Sequence, residues 1–372
     1  MKKLLLLAAA AVALGANAQP TLTQKWKSTA NTAMTTNDVR QGVGLNGKIY
    51  INNKADQKVY VIGQNGMLDQ TLPGGQNCGI GLDQAGHIFV VNSVFPNTWG
   101  TDEGTIKVYD PANPEEVTNL GFAEECVAMG RVDYVGFAKG DLTGDGELLL
   151  VGGSSTGISK LVVADGEVSE DDSYVATCDG LTYANLVVVK PYMDGNDEKY
   201  LYVARNAAPA IIVADGDNFA VEKTMAWENK GASNGADIFE LGGKKYVVYP
   251  TLPNYTDGFA IACLDDEPVV IDEKGTMGLA ALVTKAPEFQ ANPNGVQANW
   301  LNAEVISETE AVIYQYVPGG YCEAYTFALP SEPTGVNDVT AKEAKVSKVY
   351  ENGQVYIIKG DAKYNVMGAQ VK

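Results

Sequence analysis

Bulky apolar residues recur at every second position in short runs along most of this chain, and no long segment keeps the 3.6-residue spacing of an amphipathic helix. That alternation predicts strands joined by turns. The runs KIYINNKADQKVYVI, HIFVVNSVFPNTWGTDEGTIKVYD, ELLLVGGSSTGISKLVVAD, KYLYVARNAAPAIIVAD, KYVVYPTLPNYTDGFAIACLD and EAVIYQYVPGGYCEAYTFAL share one plan. Each is a strand, a polar loop and a second strand that usually ends in aspartate. Asp110, Asp165, Asp215 and Asp265 close four of the six, at spacings of 55, 50 and 50 residues. An aspartate there suits a tight turn, because its carboxylate accepts a hydrogen bond from the backbone about two residues on. A further short strand precedes most of the runs, as in GVGL, CGIGL, YVGFA and ANLVVV, and a fourth follows, as in FAVEKTMAW.

Four antiparallel strands recurring at roughly 40 to 60 residues are the signature of propeller blades. Six such units fit between about Thr21 and Pro330. The expected fold is therefore all-β: a six-bladed β-propeller, with seven blades as the alternative, followed by a small C-terminal β tail. The last unit lacks an outer strand, because Pro330 and Pro333 follow it closely. TLTQKWKST, near the start of the chain, is the candidate to pair there, closing the ring and removing an open sheet edge.

The chain opens with Lys2 and Lys3, an apolar run from Leu4 to about Leu14, and small residues ending in Ala18. This is the pattern of a secretory signal peptide spanning 1–18, with Gln19 as the first mature residue. No later run approaches the roughly 20 residues of a membrane helix, so no membrane span is expected. The remaining organisation is a propeller over 19–330, a linker over 331–340 and a tail over 341–372. A net charge of −19 argues against nucleic acid as a partner, since phosphates are repelled. The five cysteines, Cys78, Cys126, Cys178, Cys263 and Cys322, are far apart and odd in number. They read as buried small apolar residues with one or two bridges at most, not as a disulfide framework.

Short motifs add resemblances. GLDQAGHIFVVN is similar to the strand starts of the NHL and YVTN propeller families, a likeness that implies a fold and no activity. GDLTGDGELLLVGG, from Gly140 to Gly153, resembles the calcium loop of FG-GAP repeats. That resemblance implies calcium as a cofactor, with Asp141, Thr143 and Asp145 as ligands, Glu147 through its carbonyl, and Gly146 at the bend. Position nine is Leu149 where that family carries a carboxylate, which leaves the set one ligand short. The other reading is an Asp-Gly hairpin turn that needs no ion. Either way the loop joins the first and second strands of its blade, on the face opposite the loops between second and third strands, and acts as a staple.

The expected binding face is built by those second-to-third loops and by the links between blades. Its candidate ligand-binding residues are Asn52, Asn53, Trp99, Tyr183, Arg205, Asn206, Trp227, Tyr255, Asn299 and Tyr321. Aromatic faces and amides suit an extracellular glycan or peptide, giving contact area at little entropic cost together with directional hydrogen bonds. No catalytic residues are assigned. The sole histidine, His87, begins a strand and reads as structural, which excludes centres that need several imidazoles. No P-loop or H-E-x-x-H occurs. The alternative to a binding protein is a propeller hydrolase or lyase acting on carbohydrate or lactone with acidic residues or calcium at the central channel.

The tail resembles the short C-terminal sorting tails of Bacteroidetes secreted proteins, through Glu351, Asn352, Gly353, Gln354, Tyr364, Asn365, Gly368, Val371 and Lys372. It implies the type IX secretion machinery as a partner and a secreted or outer-membrane-surface location; without that role the protein is periplasmic. Its own strands are expected to form a two- or three-stranded unit, too small for an independent core.

Overall fold

The computed structural model describes residues 19–28, 38–76, 79–92, 103–123, 132, 135–152, 155–181, 183, 187–204, 207–227, 235–251, 257–288, 299–330, 346–351, 354–359, 362–365 and 370–371. Two compact units separate, Met1–Leu329 and Pro330–Lys372.

In the first unit most of the described strands fall into six antiparallel groups of four, called sheets 1 to 6 here; a parallel pair joins sheets 2 and 3 into one eight-stranded sheet, and sheet 4 carries a fifth strand. Sheet 1 holds Val39–Leu45, Lys48–Asn53, Lys58–Ile62 and Leu68–Pro73. Sheet 2 holds Ile80–Asp83, Ile88–Asn92, Glu103–Tyr109 and Val117–Ala123, and sheet 3 Phe137–Gly140, Gly146–Leu150, Ile158–Ala164 and Glu167–Ala176. Sheet 4 holds Val188–Asp194, Asp197–Val203, Ala210–Asp215 and Asn218–Thr224, with Cys178–Asp179 added in parallel to its last strand. Sheet 5 holds Asp237–Leu241, Lys244–Pro250, Phe259–Cys263 and Ala281–Lys285. Sheet 6 holds Trp300–Val305, Glu310–Tyr316 and Cys322–Ala328, and its fourth strand is Thr21–Lys27 from the start of the chain.

The first strands touch in cyclic order from sheet 1 through sheet 6 and back to sheet 1. The ring is closed. This unit is a β-propeller. Thr21 pairs with Ala328 and Lys27 with Glu323, so the expected N-terminal strand does occupy the vacant edge.

Burial follows radial position. Lys48–Asn53 is buried at every residue after the first, whereas Leu68–Pro73 buries only Leu72. Inner strands are covered on both faces and bury nearly every residue; outer strands face water and bury few. The apolar clusters lie between neighbouring sheets: Phe89, Ile106, Leu148 and Leu161 join sheets 2 and 3, and Phe239, Phe259, Ile313 and Phe327 join sheets 5 and 6. Each such side chain contributes about 1.5–3 kcal/mol by leaving water.

The turns follow local chemistry. Asn46-Gly47 and Asp165-Gly166 both place two successive residues at positive φ, as two-residue hairpins require. The turn after Cys263 departs from the plan. It carries an inserted hairpin, Val269–Val270 against Met277–Gly278, with Val270 and Met277 exposed. Cys178, Cys263 and Cys322 are free and buried; Cys78 and Cys126 lie outside the described residues.

The second unit holds a four-stranded sheet of Val346–Glu351, Gln354–Lys359, Ala362–Asn365 and Gln370–Val371. This corrects the two- or three-stranded expectation. The added strand is two residues long and pairs only Gln370 and Val371 with Tyr364 and Lys363, too short to show as an alternating pattern. Of the sorting-tail residues, Glu351 and Gln354 face each other across one hairpin, Tyr364 and Asn365 end the third strand, and Val371 lies in the last. Asn352, Gly353, Gly368 and Lys372 lie outside the described residues.

Candidate functional site

Antiparallel order puts the second-to-third loops and the inter-sheet links at one end of the ring, here called the loop face. On it, sheets 5 and 6 bury a polar cluster. Asp257 and Glu323 are fully buried, and Lys285 lies between them at 2.6 Å from Asp257 Oδ2 and 3.3 Å from Glu323 Oε1. The Tyr321 hydroxyl donates to Asp257 Oδ2, and the Glu288 amide donates to Asp257 Oδ1 at 2.7 Å. Gln315 donates to the Asp257 carbonyl at 2.7 Å and to Asn299 Oδ1, while Asn299 Nδ2 donates to the Gly258 carbonyl at 2.9 Å. From the closing strand, Gln24 donates to Glu323 Oε2 at 2.9 Å, and Lys27 lies 3.8 Å from the Tyr321 ring centre. Burial and the adjoining Asp257 carboxylate push the Tyr321 phenol well above its ordinary value, so it serves as a hydrogen-bond donor.

Of the ten expected ligand-binding residues, the structure brings Asn299 and Tyr321 together in this cluster. Asn52 is buried and clamps Gly75, accepting its amide at 3.1 Å and donating to its carbonyl at 3.3 Å. Asn53 caps its own loop by accepting the amides of Ala55 and Asp56. Tyr183 accepts the Cys178 amide at 2.7 Å. Trp227 is core, stacked on Tyr249 with ring centres 4.4 Å apart. Trp99, Arg205, Asn206 and Tyr255 lie outside the described residues.

At the ring axis the lining residues include Gln41, Phe137, Val188, Ala236, Trp300 and Asn302, and the space between them is about 10 Å³. That is roughly the room for one water. Gln41 crosses between sheets, accepting the amides of Ile80 at 3.0 Å and Val135 at 2.9 Å. Asn302 bonds Gly44 through both its groups, at 2.6 and 2.7 Å. Asp237, fully buried, pairs with Lys190 at 2.6 Å through Oδ1, which also accepts the Ile238 amide; its Oδ2 accepts the Ala303 amide at 2.8 Å. Burial pushes Asp237 above the ordinary carboxylate range, while Lys190 and the two amides pull it back. Lys190 also stands 3.9 Å from the Phe137 ring centre.

The residues of the expected calcium set, Asp141, Thr143, Asp145 and Glu147 through its carbonyl, make these contacts. Asp141 Oδ1 accepts the Thr143 amide and hydroxyl, each at 2.7 Å, in a local turn. Asp145 Oδ1 accepts the Asp165 amide at 3.0 Å, and Glu147 pairs with Lys160 at 2.8 Å. Residues that sequence reasoning passed over are Asp257, Lys285, Gln315 and Glu323 at the seam and Gln41, Lys190 and Asn302 at the axis. For Glu323 a signal existed: a charge inside the otherwise apolar run YCEAYTFAL.

No family model matches the chain, and no curated protein is similar to it in sequence. Among solved structures it is similar to a DUF4623 family protein from Bacteroides eggerthii DSM 20697, at 11% identity and a TM-score of 0.58, over 85% of this chain and 76% of that one. At that identity the likeness shows a shared fold alone. It is also similar to a structural genomics protein from Bacteroides thetaiotaomicron VPI-5482, at 11% identity and a TM-score of 0.45, over 83% and 76% of the two chains. A mutant of Trypanosoma rangeli sialidase displaying trans-sialidase activity is similar at 9% identity and a TM-score of 0.44, over 84% of this chain and 60% of that one.

Proposed function

We propose that this chain is an exported β-propeller that binds an extracellular glycan or peptide on its loop face and leaves it chemically unchanged. The observation that carries this reading is the state of the buried carboxylates at the axis and on the loop face. Each has a cation beside it: Asp237 binds Lys190 together with the Ile238 and Ala303 amides, and Asp257 and Glu323 flank Lys285. A hydrolase needs a carboxylate free to take or give a proton, or two placed across a scissile bond. Export is supported by the leader over 1–18, and passage of the outer membrane by the sorting-like tail. In this reading the Asp141 turn belongs to the scaffold.

The test uses the mature protein from Gln19, with and without calcium, on a glycan array and a peptide library, with mass spectrometry of whatever is retained. Intact ligand whose binding weakens in Trp99→Ala is the expected result. Cleaved ligand, or no retention of any glycan or peptide, would overturn the reading. For the route, removal of residues 336–372 should hold the protein in the periplasm; unchanged secretion of the shortened chain would remove the type IX assignment.

A further inference from the structure

On the face opposite the binding loops, the first-to-second turns of sheets 2 and 3 interlock. Their first strands run parallel, with Phe137 beside Leu82 and Ala138 beside Asp83. Gly140 then receives the amides of Gln84 at 3.1 Å and Ala85 at 3.2 Å, and its own amide donates to Gln84 Oε1 at 2.9 Å. This register carries Asp141, at the head of one turn, to Asp83 and His87, which bracket the other. The His87 amide donates to Asp83 Oδ1 at 2.7 Å, closing that turn and setting the imidazole beside the second carboxylate oxygen.

We propose that Asp83 Oδ2, His87 Nδ1 and Asp141 Oδ1 form a site for one divalent transition-metal ion of the Zn²⁺ type, clamping sheet 2 to sheet 3. Nδ1 lies 2.9 Å from Asp83 Oδ2 and 3.3 Å from Asp141 Oδ1, and all three atoms lie within 4.8 Å of one another. Donor atoms held about 2.0–2.1 Å from a tetrahedral ion are about 3.3 Å apart, so small movements complete the set.

Charge gives the reason for an ion. Two carboxylates face one imidazole nitrogen, and the Asp83 side chain has no exposure to water. A buried carboxylate needs compensation. Among the described residues the imidazole is the sole ion-pair partner of both acids; their other partners are neutral donors, the Leu142 amide at 3.0 Å on Asp83 Oδ2 and Thr143 on Asp141 Oδ1. One proton on Nδ1 is shared by two oxygens; a divalent ion in its place bonds to all three groups and cancels both negative charges. His87 then keeps its remaining proton on Nε2.

The donor set also selects the ion. Calcium takes six to eight oxygens, whereas this set offers two carboxylates and one nitrogen, and Asp145 Oδ1 of the same turn is engaged by the Asp165 amide. One nitrogen and two carboxylate oxygens suit zinc, with water on the open side, where the Asp141 side chain is 43% exposed. Thr143 fixes the Asp141 carboxylate by two hydrogen bonds to Oδ1, and an ion bound at that oxygen takes the place of one of them.

The experiment takes tag-free mature protein stripped with EDTA and titrates it with Zn²⁺ and, separately, Ca²⁺, by calorimetry and thermal melting. His87 is the sole histidine, so its ring resonances report the site free of the buried thiols, which also bind zinc. One Zn²⁺ per chain is expected, with the His87 ring resonances shifted, a raised melting midpoint, and affinity at least tenfold weaker in both His87→Gln and Asp141→Asn. Circular dichroism checks that the two variants fold. Unmoved ring resonances at saturating Zn²⁺, unchanged affinity in both folded variants, or Ca²⁺ bound more tightly than Zn²⁺ would overturn the proposal.

Discussion

Between sheets 5 and 6, Lys285 stands 2.6 Å from Asp257 and 3.3 Å from Glu323 with 7% of its side chain in water. Between sheets 4 and 5, at the opposite end of the ring, Lys199 and Lys245 each stand 2.9 Å from Asp194, whose side chain is 42% exposed. The distances are alike and the media are not. At the first seam water is gone, so each charge depends on its partners for all of its solvation. At the second, water and salt share the load, and the pairs are worth little. Ion pairs of similar length therefore hold this ring with unequal force, and the strong seam is the one that also binds the closing strand, through Gln24 and Lys27.

The largest effect should come from breaking the buried seam on one side only. Lys285→Met leaves Asp257 and Glu323 without their shared cation, a change expected to cost about 3–5 kcal/mol in denaturant titrations. A loss under about 1 kcal/mol would mean that water reaches the seam and that the contrast with the exposed one is empty. A second substitution sharpens the point. Adding Glu323→Gln removes one of the two carboxylates that lost Lys285, the one still paired with Lys27 at 3.7 Å, and the double variant should recover at least about 1 kcal/mol relative to Lys285→Met alone. Purely additive losses would place the cost in lost packing and not in charge.

The ring was readable because its signals are local. Alternation marks each strand, an aspartate closes four of the repeats, and a repeat lacking its fourth strand points to TLTQKWKST as the missing piece. The inserted hairpin over Val269–Gly278 was not readable, since Val270 and Met277 face water and leave no alternating pattern. The seam was half readable. Asn299 and Tyr321 were found as an amide and an aromatic in loops, but Lys285 lies 28 residues from Asp257 and closes an ordinary strand. Nothing local says that it faces inward toward an acid. The Asp141 turn shows the same limit: its motif speaks only for residues within one turn, and the contact of Asp141 with His87 is set by the register between two repeats.

The exposed seam offers the smallest effect and the clearest dependence on conditions. Hydrogen bonds from Lys199 and then Lys245 hold the Asp194 carboxyl below its ordinary value of 3.8. Its contribution is thus complete above that value and is lost as the pH falls through the lower folded one. Lys199 behaves in mirror image. Glu222 and Asp194 hold it above its ordinary 10.5, so its share is complete below that value and is lost as the pH rises through the higher folded one. Asp194→Asn should cost only about 0.5 kcal/mol at neutral pH, the scale of an exposed pair. The difference from the unmodified protein should vanish in about 1 M salt, where the screening length falls to about 3 Å. It should vanish as well in acid, where the carboxyl is protonated in the folded and unfolded chains alike. A difference that persisted under both conditions would show that the side chain acts by packing, and that the two seams differ in more than their access to water.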